Sequence, residues 1–194
     1  MKVLKRNILL WLGLALLISG CDSPVSAEGK HGQKTSGEYQ AVILTNENFL
    51  PKLIKSIDEA QDEILISVFS FKAGEHKKSY PDRVASHLAK AVKRGVKVLV
   101  VLEVTKDRSD TLNIQNRKSG KFLKEKGIKV FFDSPDKTTH TKLILIDQRL
   151  IFLGSHNFTQ SALKYNNEIS VLLDRPDLAK SVRNYILKII GEGQ

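Results

Sequence analysis

Short apolar runs alternate with amphipathic segments along most of this chain of 194 residues, and the alternation limits the folds open to it. Residues 63–71 and 96–102 are apolar enough for strands buried on both faces, whereas residues 49–60 and 81–93 repeat apolar side chains at helical spacing. This order predicts an α/β fold, a mixed and largely buried sheet flanked by helices. The predicted strands cover residues 39–44, 63–71, 96–102, 128–132, 141–146, 150–153 and 168–173, and the predicted helices cover residues 49–60, 81–93, 110–126, a short segment from 159, and 176–190.

The first 21 residues have the features of an export signal. A basic head precedes an apolar stretch at residues 8–18, which is short for a membrane span and typical of a signal-peptide core. The sequence Ile-Ser-Gly-Cys that ends at Cys21 resembles a bacterial lipobox, with Cys21 as the lipidated residue. We therefore expect a lipoprotein signal peptide at residues 1–21 and a chain anchored to a membrane of the bacterial cell envelope. An ordinary signal peptide with a chance cysteine, or an uncleaved anchor helix, stays open.

The chain after Cys21 divides into a tether and one domain. Residues 22–38 are rich in Ser, Gly, Lys and Glu, a composition that predicts a flexible linker. Residues 39–194 are long enough for one domain with a sizeable core. The formal charge of +10 favours anionic partners, either nucleic acid or acidic lipid head groups. The single cysteine, Cys21, excludes an intrachain disulfide.

One motif carries the chemistry. The pattern H-x-K-x-x-x-x-D contains His140, Lys142 and Asp147, and G-S-x-N follows with Ser155 and Asn157. A histidine and a lysine two positions apart on a strand share one face, and a cation beside an imidazole suits nucleophilic attack on a phosphodiester. The serine and asparagine can hydrogen-bond phosphate oxygens. Asp147 begins a predicted turn, so we expect it to hold the architecture of the motif more than to touch substrate.

This arrangement resembles the HKD motif of the phospholipase D superfamily, and its single copy resembles the small bacterial endonucleases of that superfamily. The resemblance includes residues 67–71 and 93–98 and reaches the last helix. It implies a phospholipase D/nuclease-like fold and a phosphodiesterase in which His140 forms a phosphohistidine and Lys142 neutralises the non-bridging oxygens. Glu168 occupies the position of a carboxylate in the endonuclease pattern, and we assign it to orient the imidazole.

One motif supplies one histidine, but in-line cleavage also needs a group to protonate the leaving oxygen. We therefore predict a homodimer in which two copies of His140 face each other across a two-fold axis. No cofactor is expected, and no His/Cys/Asp cluster has metal-ligand spacing, so the predicted activity is metal-independent. The leading hypothesis is a non-specific endonuclease acting on nucleic acid. The alternatives are a phospholipase D-type lipid hydrolase or transferase, and a non-catalytic DNA-binding module.

The other histidines are interpreted as structural or inert. His156 alternates with Ser155 and Asn157 and should point away from them. His87 lies on a predicted helix as a surface or satisfied residue, whereas His31 and His76 lie in polar segments.

Overall fold

The computed structural model describes residues 40–76 and 78–194, so the predicted signal peptide, with Cys21, and the tether lie outside the described residues. In the described part, one mixed sheet of seven strands carries helices on both faces, which confirms the predicted fold class. No helix within residues 40–76 or 78–194 is long and apolar enough to cross a membrane. The division of the whole chain into signal, tether and domain stays a prediction.

Each strand and helix expected after residue 39 is present, and most ends lie within a few residues of the predicted ones. The strands are β1 (Ala41–Thr45), β2 (Glu63–Val68), β3 (Lys97–Leu102), β4 (Lys129–Phe132), β5 (Lys142–Ile146), β6 (Leu150–Gly154) and β7 (Ile169–Asp174). The helices are α1 (Phe49–Glu59), α2 (Tyr80–Lys93), α3 (Thr111–Glu125), α4 (Gln160–Lys164) and α5 (Pro176–Glu192). A 3₁₀ turn at Asn46–Asn48, which the sequence pattern does not predict, leads into α1.

The sheet has the order β1-β7-β6-β5-β2-β3-β4. β2, β3 and β4 are parallel, whereas β5 pairs with β2 in antiparallel register, with Val68 opposite Lys142. The end of β2 therefore lies beside the start of β5. The carboxyl ends of β2, β3 and β4, the start of β5, the end of β6 and the start of β7 all meet at one edge of the sheet, called the site edge below.

Two apolar layers hold the helices against the sheet. On one face α1, α2 and α3 contribute Leu53, Leu88 and Leu123, which are fully buried. On the other face Ile186 of α5 belongs to the cluster around Leu145 of β5. Burial of one such side chain contributes about 1.5–3 kcal/mol, so both layers stabilise the sheet that positions the site edge.

β2 ends three residues before the predicted end of this strand. After Val68 the chain leaves the sheet ladder, and the backbone N–H of Phe158 donates to the Ser70 carbonyl at 2.9 Å. The amide of Asn116 on α3 donates to the Phe69 carbonyl at 2.7 Å. These tertiary contacts satisfy backbone groups that a longer strand would have paired in the sheet, and they fix the segment that follows β2.

Candidate active site at the edge of the sheet

Four of the predicted site residues lie at the site edge. Lys142 begins β5, and His140 lies two residues before it. Ser155 directly follows β6, and Glu168 directly precedes β7. Because these strands are neighbours in the sheet, the fold gathers side chains that are far apart in the sequence at one edge.

Phe69, the first residue after β2, contacts both members of the histidine–lysine pair. Its ring meets the His140 imidazole edge-on, with the ring centroids 4.6 Å apart. The Lys142 ammonium lies 5.0 Å from the centre of the same ring. The Phe69 N–H donates to the Thr141 carbonyl at 2.9 Å, which ties the aromatic residue to the start of the motif. Sequence reasoning assigned Phe69 no function, because only the pairing of β2 with β5 brings it to the site.

The Lys142 side chain is held over the site by a short local contact. Its Nζ donates to the carbonyl oxygen of His140 at 3.0 Å. The sequence predicted that His140 and Lys142 share one face of a strand. In the structure β5 begins only at Lys142, so His140 lies before the strand, and a hydrogen bond joins the two residues. Burial lowers the pKa of the Lys142 ammonium, and the nearby Glu168 carboxylate raises it in part.

Glu168 lies at the centre of a hydrogen-bonded group. The Ser155 hydroxyl donates to one carboxylate oxygen of Glu168, and the Asn166 amide donates to the other at 3.0 Å. The Ile169 N–H donates to Ser155 Oγ at 3.0 Å. The single hydroxyl proton of Ser155 has a second acceptor, the Ile169 carbonyl at 3.2 Å, besides the closer Glu168 carboxylate. Among the described residues of one chain, no hydrogen bond joins Glu168 to His140, and the orienting function of Glu168 stays a prediction.

Asn46 fixes the backbone of Glu168 from the opposite end of the domain sequence. Its side-chain oxygen accepts the Glu168 N–H at 2.8 Å, and its own N–H donates to the Glu168 carbonyl at 2.9 Å. Asn46 has φ 47°, a left-handed conformation that asparagine tolerates better than most residues. Sequence reasoning missed this residue, because nothing local links it to a partner 122 positions later.

The G-S-x-N segment contributes a close strand contact and an unpaired amide oxygen. A side chain at Gly154 would collide with Ser170 and with the Ile169 carbonyl, so the approach of β6 to β7 requires glycine there.

Asn157 is half-buried, and its Oδ1 is buried without a hydrogen-bond partner among the described residues. An unpaired buried amide oxygen is unfavourable, and a bound ligand can provide its partner.

His156 is a core residue, as the alternation predicts. It is 1% exposed, and its ring stacks on Phe49 with the centroids 4.1 Å apart. Its Nδ1 is 2.8 Å from Ser170 Oγ. Burial lowers the pKa of the His156 imidazole, which favours the neutral ring in this apolar setting.

Asp147 lies at the other end of β5, roughly 20 Å from His140 at 3.3 Å per strand residue. Its carboxylate accepts the backbone N–H groups of residues 61–63 at 2.8–3.1 Å, which joins the β5–β6 turn to the start of β2. Asp147 and Gln148 have φ 50° and 49° and are the two central, left-handed residues of a turn that the Arg149 N–H closes onto the Ile146 carbonyl at 3.0 Å. This geometry favours the architectural function expected for Asp147.

The imidazole of His140 is open to solvent. It is exposed and forms one wall of a shallow cleft whose other wall is α5, with Tyr185 and Lys188. No group of three or more His, Cys, Asp or Glu side chains in residues 40–76 and 78–194 is arranged to hold a metal ion. The imidazole is therefore accessible from this cleft, whereas the half-buried Lys142 ammonium, which contacts the same Phe69 ring, is not one of the residues that line it.

A family model and the curated relatives that match this chain agree on one family. A family model described as cardiolipin synthase, PLD-like domain, matches residues 53–190. A phospholipase D of Rickettsia prowazekii is 30% identical over 130 residues, which cover 66% of this chain and 56% of that protein. The chain spans about half the length of the curated relatives it matches.

Solved structures show the same fold. Nuc from Salmonella typhimurium, a phospholipase D family member, superposes with a TM-score of 0.67 at 24% identity, over 81% of this chain and 97% of that one. NucT from Helicobacter pylori superposes with a TM-score of 0.63 at 18% identity, over 80% of this chain and 98% of that one. The family match over residues 53–190, together with this fold, establishes that the chain belongs to the phospholipase D superfamily.

Proposed function

We propose that this protein is a metal-independent, non-specific endonuclease that cleaves phosphodiesters through a phosphohistidine intermediate in a homodimeric active site. The observation that carries the proposal is the presentation of His140 and Lys142 together at the site edge. An exposed imidazole and a half-buried ammonium contact one aromatic ring there. A nucleophile and a fixed positive charge are the two elements that attack on an anionic phosphodiester requires.

In the first step a neutral ring nitrogen of His140 attacks phosphorus. A P–N bond forms, the P–O bond to the leaving nucleoside breaks, and the leaving oxygen takes a proton from a general acid. Lys142 offsets the charge on the non-bridging oxygens. We assign Asn157 and Ser155 to hydrogen-bond the phosphate and Glu168 to orient the imidazole, with Ser155 redirecting its hydroxyl from Glu168 when phosphate binds.

A second His140, from another copy of the chain, is the general acid. Protonated, it donates to the leaving oxygen; neutral after that, it removes a proton from the water that attacks the phosphohistidine. The P–N bond then breaks, and both histidines return to their starting states. Each active site therefore needs two chains related by a two-fold axis.

An uncovered apolar patch beside the site supports a dimer. Ile43, Leu153 and Ile169 lie on the α5 face of the sheet, where α5 does not cover them, and they are 63%, 49% and 56% exposed. Leu153 lies two residues before Ser155, and Ile169 follows Glu168 directly. An apolar surface of this kind commonly forms an interface, and a second copy docked here would lie next to the residues assigned to catalysis.

Nucleic acid is the preferred substrate because the features at the site recognise phosphate. The chain carries a formal charge of +10, and Lys188 lies in the cleft beside His140. Phosphate contacts carry no direct sequence information, so we expect cleavage nearly independent of base sequence. We further propose, from residues 1–21, that the enzyme is lipid-anchored at the cell envelope.

A nuclease assay on the full-length chain tests the proposal. The chain should cleave plasmid DNA in EDTA, and His140→Ala should lose at least about 10³-fold of that activity while it still folds and binds DNA. His76→Ala, which changes an exposed histidine outside the site, is the matched control and should cleave normally. An active His140→Ala protein, or binding without cleavage by the wild type, contradicts the enzymatic proposal; the second result would identify a DNA-binding module.

A phospholipase D-type activity is the second candidate. It is favoured by the curated relative named phospholipase D at 30% identity. The discriminating measurement compares the release of acid-soluble nucleotides with the release of head groups from phospholipid vesicles, with the same protein in the same chelator. Head-group release without nucleotide release would replace the nuclease proposal.

A further inference from the structure

Two buried carboxyl groups lie behind the segment that carries His140. Glu103 directly follows β3 and Asp133 directly follows β4, so both belong to the site edge. They are 1% and 2% exposed. The charges that act most on Glu103 are acidic as well, namely Asp133 itself and Asp110 at the N-cap of α3. A buried carboxylate among acidic groups is strongly disfavoured unless a proton neutralises it.

Three of the contacts around this pair are defined: two accepted hydrogen bonds and one buried oxygen without a partner. The Thr139 N–H donates to Oε2 of Glu103, and the Val104 N–H donates to Oδ1 of Asp133 at 2.7 Å. Glu103 and Asp133 follow paired strands, and Oδ2 of Asp133 is buried with no hydrogen-bond partner among the described residues. Two ionised carboxylates can only accept, so an ionised pair leaves this oxygen without a donor, whereas a proton on Glu103 would supply one.

We propose that Glu103 and Asp133 share one proton, and that the neutralised pair positions His140. Glu103 carries the proton and donates it to the unpaired Oδ2 of Asp133, while its other oxygen holds the Thr139 N–H. Thr139 directly precedes His140, so the pair fixes the backbone one residue before the imidazole. Both are positioning residues, because they act through the backbone and do not touch the substrate.

The pair also links folding to pH. Burial, together with the neighbouring Asp133 carboxyl group, raises the pKa of Glu103 from 4.5 to about 8. Between these values the folded chain holds a proton that the unfolded chain has lost, so the free energy of unfolding falls as pH rises and levels off above the folded pKa. The loops that follow β3 and β4 also carry exposed charged side chains, namely Lys106, Asp107, Arg108, Asp136 and Lys137. Of these, Lys106 and Asp136 pair with each other at 2.5 Å.

Urea unfolding of the full-length chain between pH 5 and pH 9 tests the shared proton. Glu103→Gln keeps an acceptor for Thr139 and supplies an amide donor to Asp133. Relative to this variant, the wild-type unfolding constant should rise by about tenfold per pH unit in the window below the raised pKa. Glu63→Gln is the matched control, because Glu63 is a buried carboxylate that pairs with Arg183 at 2.8 Å at the other end of β2. It should keep the wild-type pH dependence.

Infrared spectroscopy gives a second measurement that does not depend on unfolding. At pH 6 the wild type should show the carbonyl band of a protonated carboxylic acid, and Glu103→Gln should lack it. Equal pH dependence of stability in wild type and Glu103→Gln, or no such band in the wild type, would overturn the shared proton. Neither measurement needs a substrate, so both stand even if the proposed nuclease activity is not found.

The positioning effect rests on the proposed function and is tested by turnover. Glu103→Gln should keep wild-type kcat at pH 7 within about threefold and should lose less of it than the wild type does as pH rises above 8. Glu103→Ala, measured at a temperature where it is folded, should lower kcat by about tenfold with little change in KM, because it frees the Thr139 peptide. Identical pH profiles of kcat in wild type and Glu103→Gln would refute the link to His140.

Discussion

The ring of Phe69 contacts the imidazole of His140 edge-on at 4.6 Å between centroids, with 65° between the ring planes. The same ring lies 5.0 Å from the Lys142 ammonium. One aromatic side chain, contributed by the end of β2, therefore restrains both groups to which cleavage is assigned.

Replacement of Phe69 by leucine should reduce turnover without unfolding the protein. Leucine keeps an apolar contact but removes the edge-on ring and the cation–π contact, interactions of about 0.5–1.5 kcal/mol each. We expect kcat to fall about tenfold, which corresponds to about 1.4 kcal/mol in the barrier, with a smaller effect on KM. Steady-state kinetics on a fluorescent oligonucleotide would measure both parameters.

Phe122→Leu is the control for this change. Phe122 is a partly buried ring with the Lys126 ammonium 4.5 Å from its centre, but it lies on α3 and not at the site edge. The substitution therefore removes the same kind of contact. If it slowed turnover as much as Phe69→Leu does, the ring of Phe69 would have no special importance for His140.

Lys142 should determine part of the alkaline limit of activity. Burial lowers the pKa of its ammonium, so it loses its charge at a pH below the usual value for lysine, and cleavage should fall as pH rises through that point. Arginine stays charged, so Lys142→Arg should abolish this decline while it lowers the plateau. The pH profiles of kcat with Lys142 and with Lys142→Arg should be compared in proteins that also carry Glu103→Gln, because this substitution removes the alkaline transition proposed for Glu103.

Lys142→Met tests the charge itself. The side chain keeps its approximate length but cannot stabilise the phosphorane-like transition state, and we expect kcat to fall by about 10²–10³-fold. Lys121→Met, on the exposed surface of α3, should leave kcat unchanged. Nearly normal turnover by Lys142→Met would exclude electrostatic catalysis by this residue.

Asp147 should matter for stability and not for chemistry. Asp147→Ala removes the acceptor of three backbone N–H groups and places alanine at φ 50°, so we expect a loss of about 2–4 kcal/mol in the free energy of unfolding. Asp147→Asn keeps one oxygen acceptor and tolerates the left-handed backbone, and should lose about half as much. Urea unfolding would measure both. A folded Asp147→Ala protein with a greatly reduced kcat would show that Asp147 contributes to catalysis.

Leu153→Glu should separate the subunits of the proposed dimer. It puts a charge at the centre of the patch formed by Ile43, Leu153 and Ile169, and buried unpaired charges strongly oppose association. Sedimentation should show a folded monomer with no cleavage activity. Leu178→Glu, which changes a 38% exposed leucine on α5 outside the patch, should remain dimeric and active. A fully active Leu153→Glu monomer would eliminate the shared active site.

The sequence alone determined the local elements. The helical spacing in residues 49–60 predicted α1, and the glycine that predicted the end of α3, Gly127, has φ 81° as a C-cap requires. The spacing of His140 and Lys142 predicted a site at the start of β5. These features depend on neighbours within a few residues, and local propensity and periodicity therefore suffice to find them.

The tertiary structure decided which distant residues complete the site. Phe69, Asn46 and Glu103 have no sequence signal that connects them to His140 or Glu168, since each reaches the site through strand order or through long-range hydrogen bonds. Strand pairing and register determine which residues of neighbouring strands lie side by side. Both depend on the burial of the whole sheet and not on any short segment. The pattern in the chain thus predicted which groups react, and the packing of the sheet determined which residues contact them.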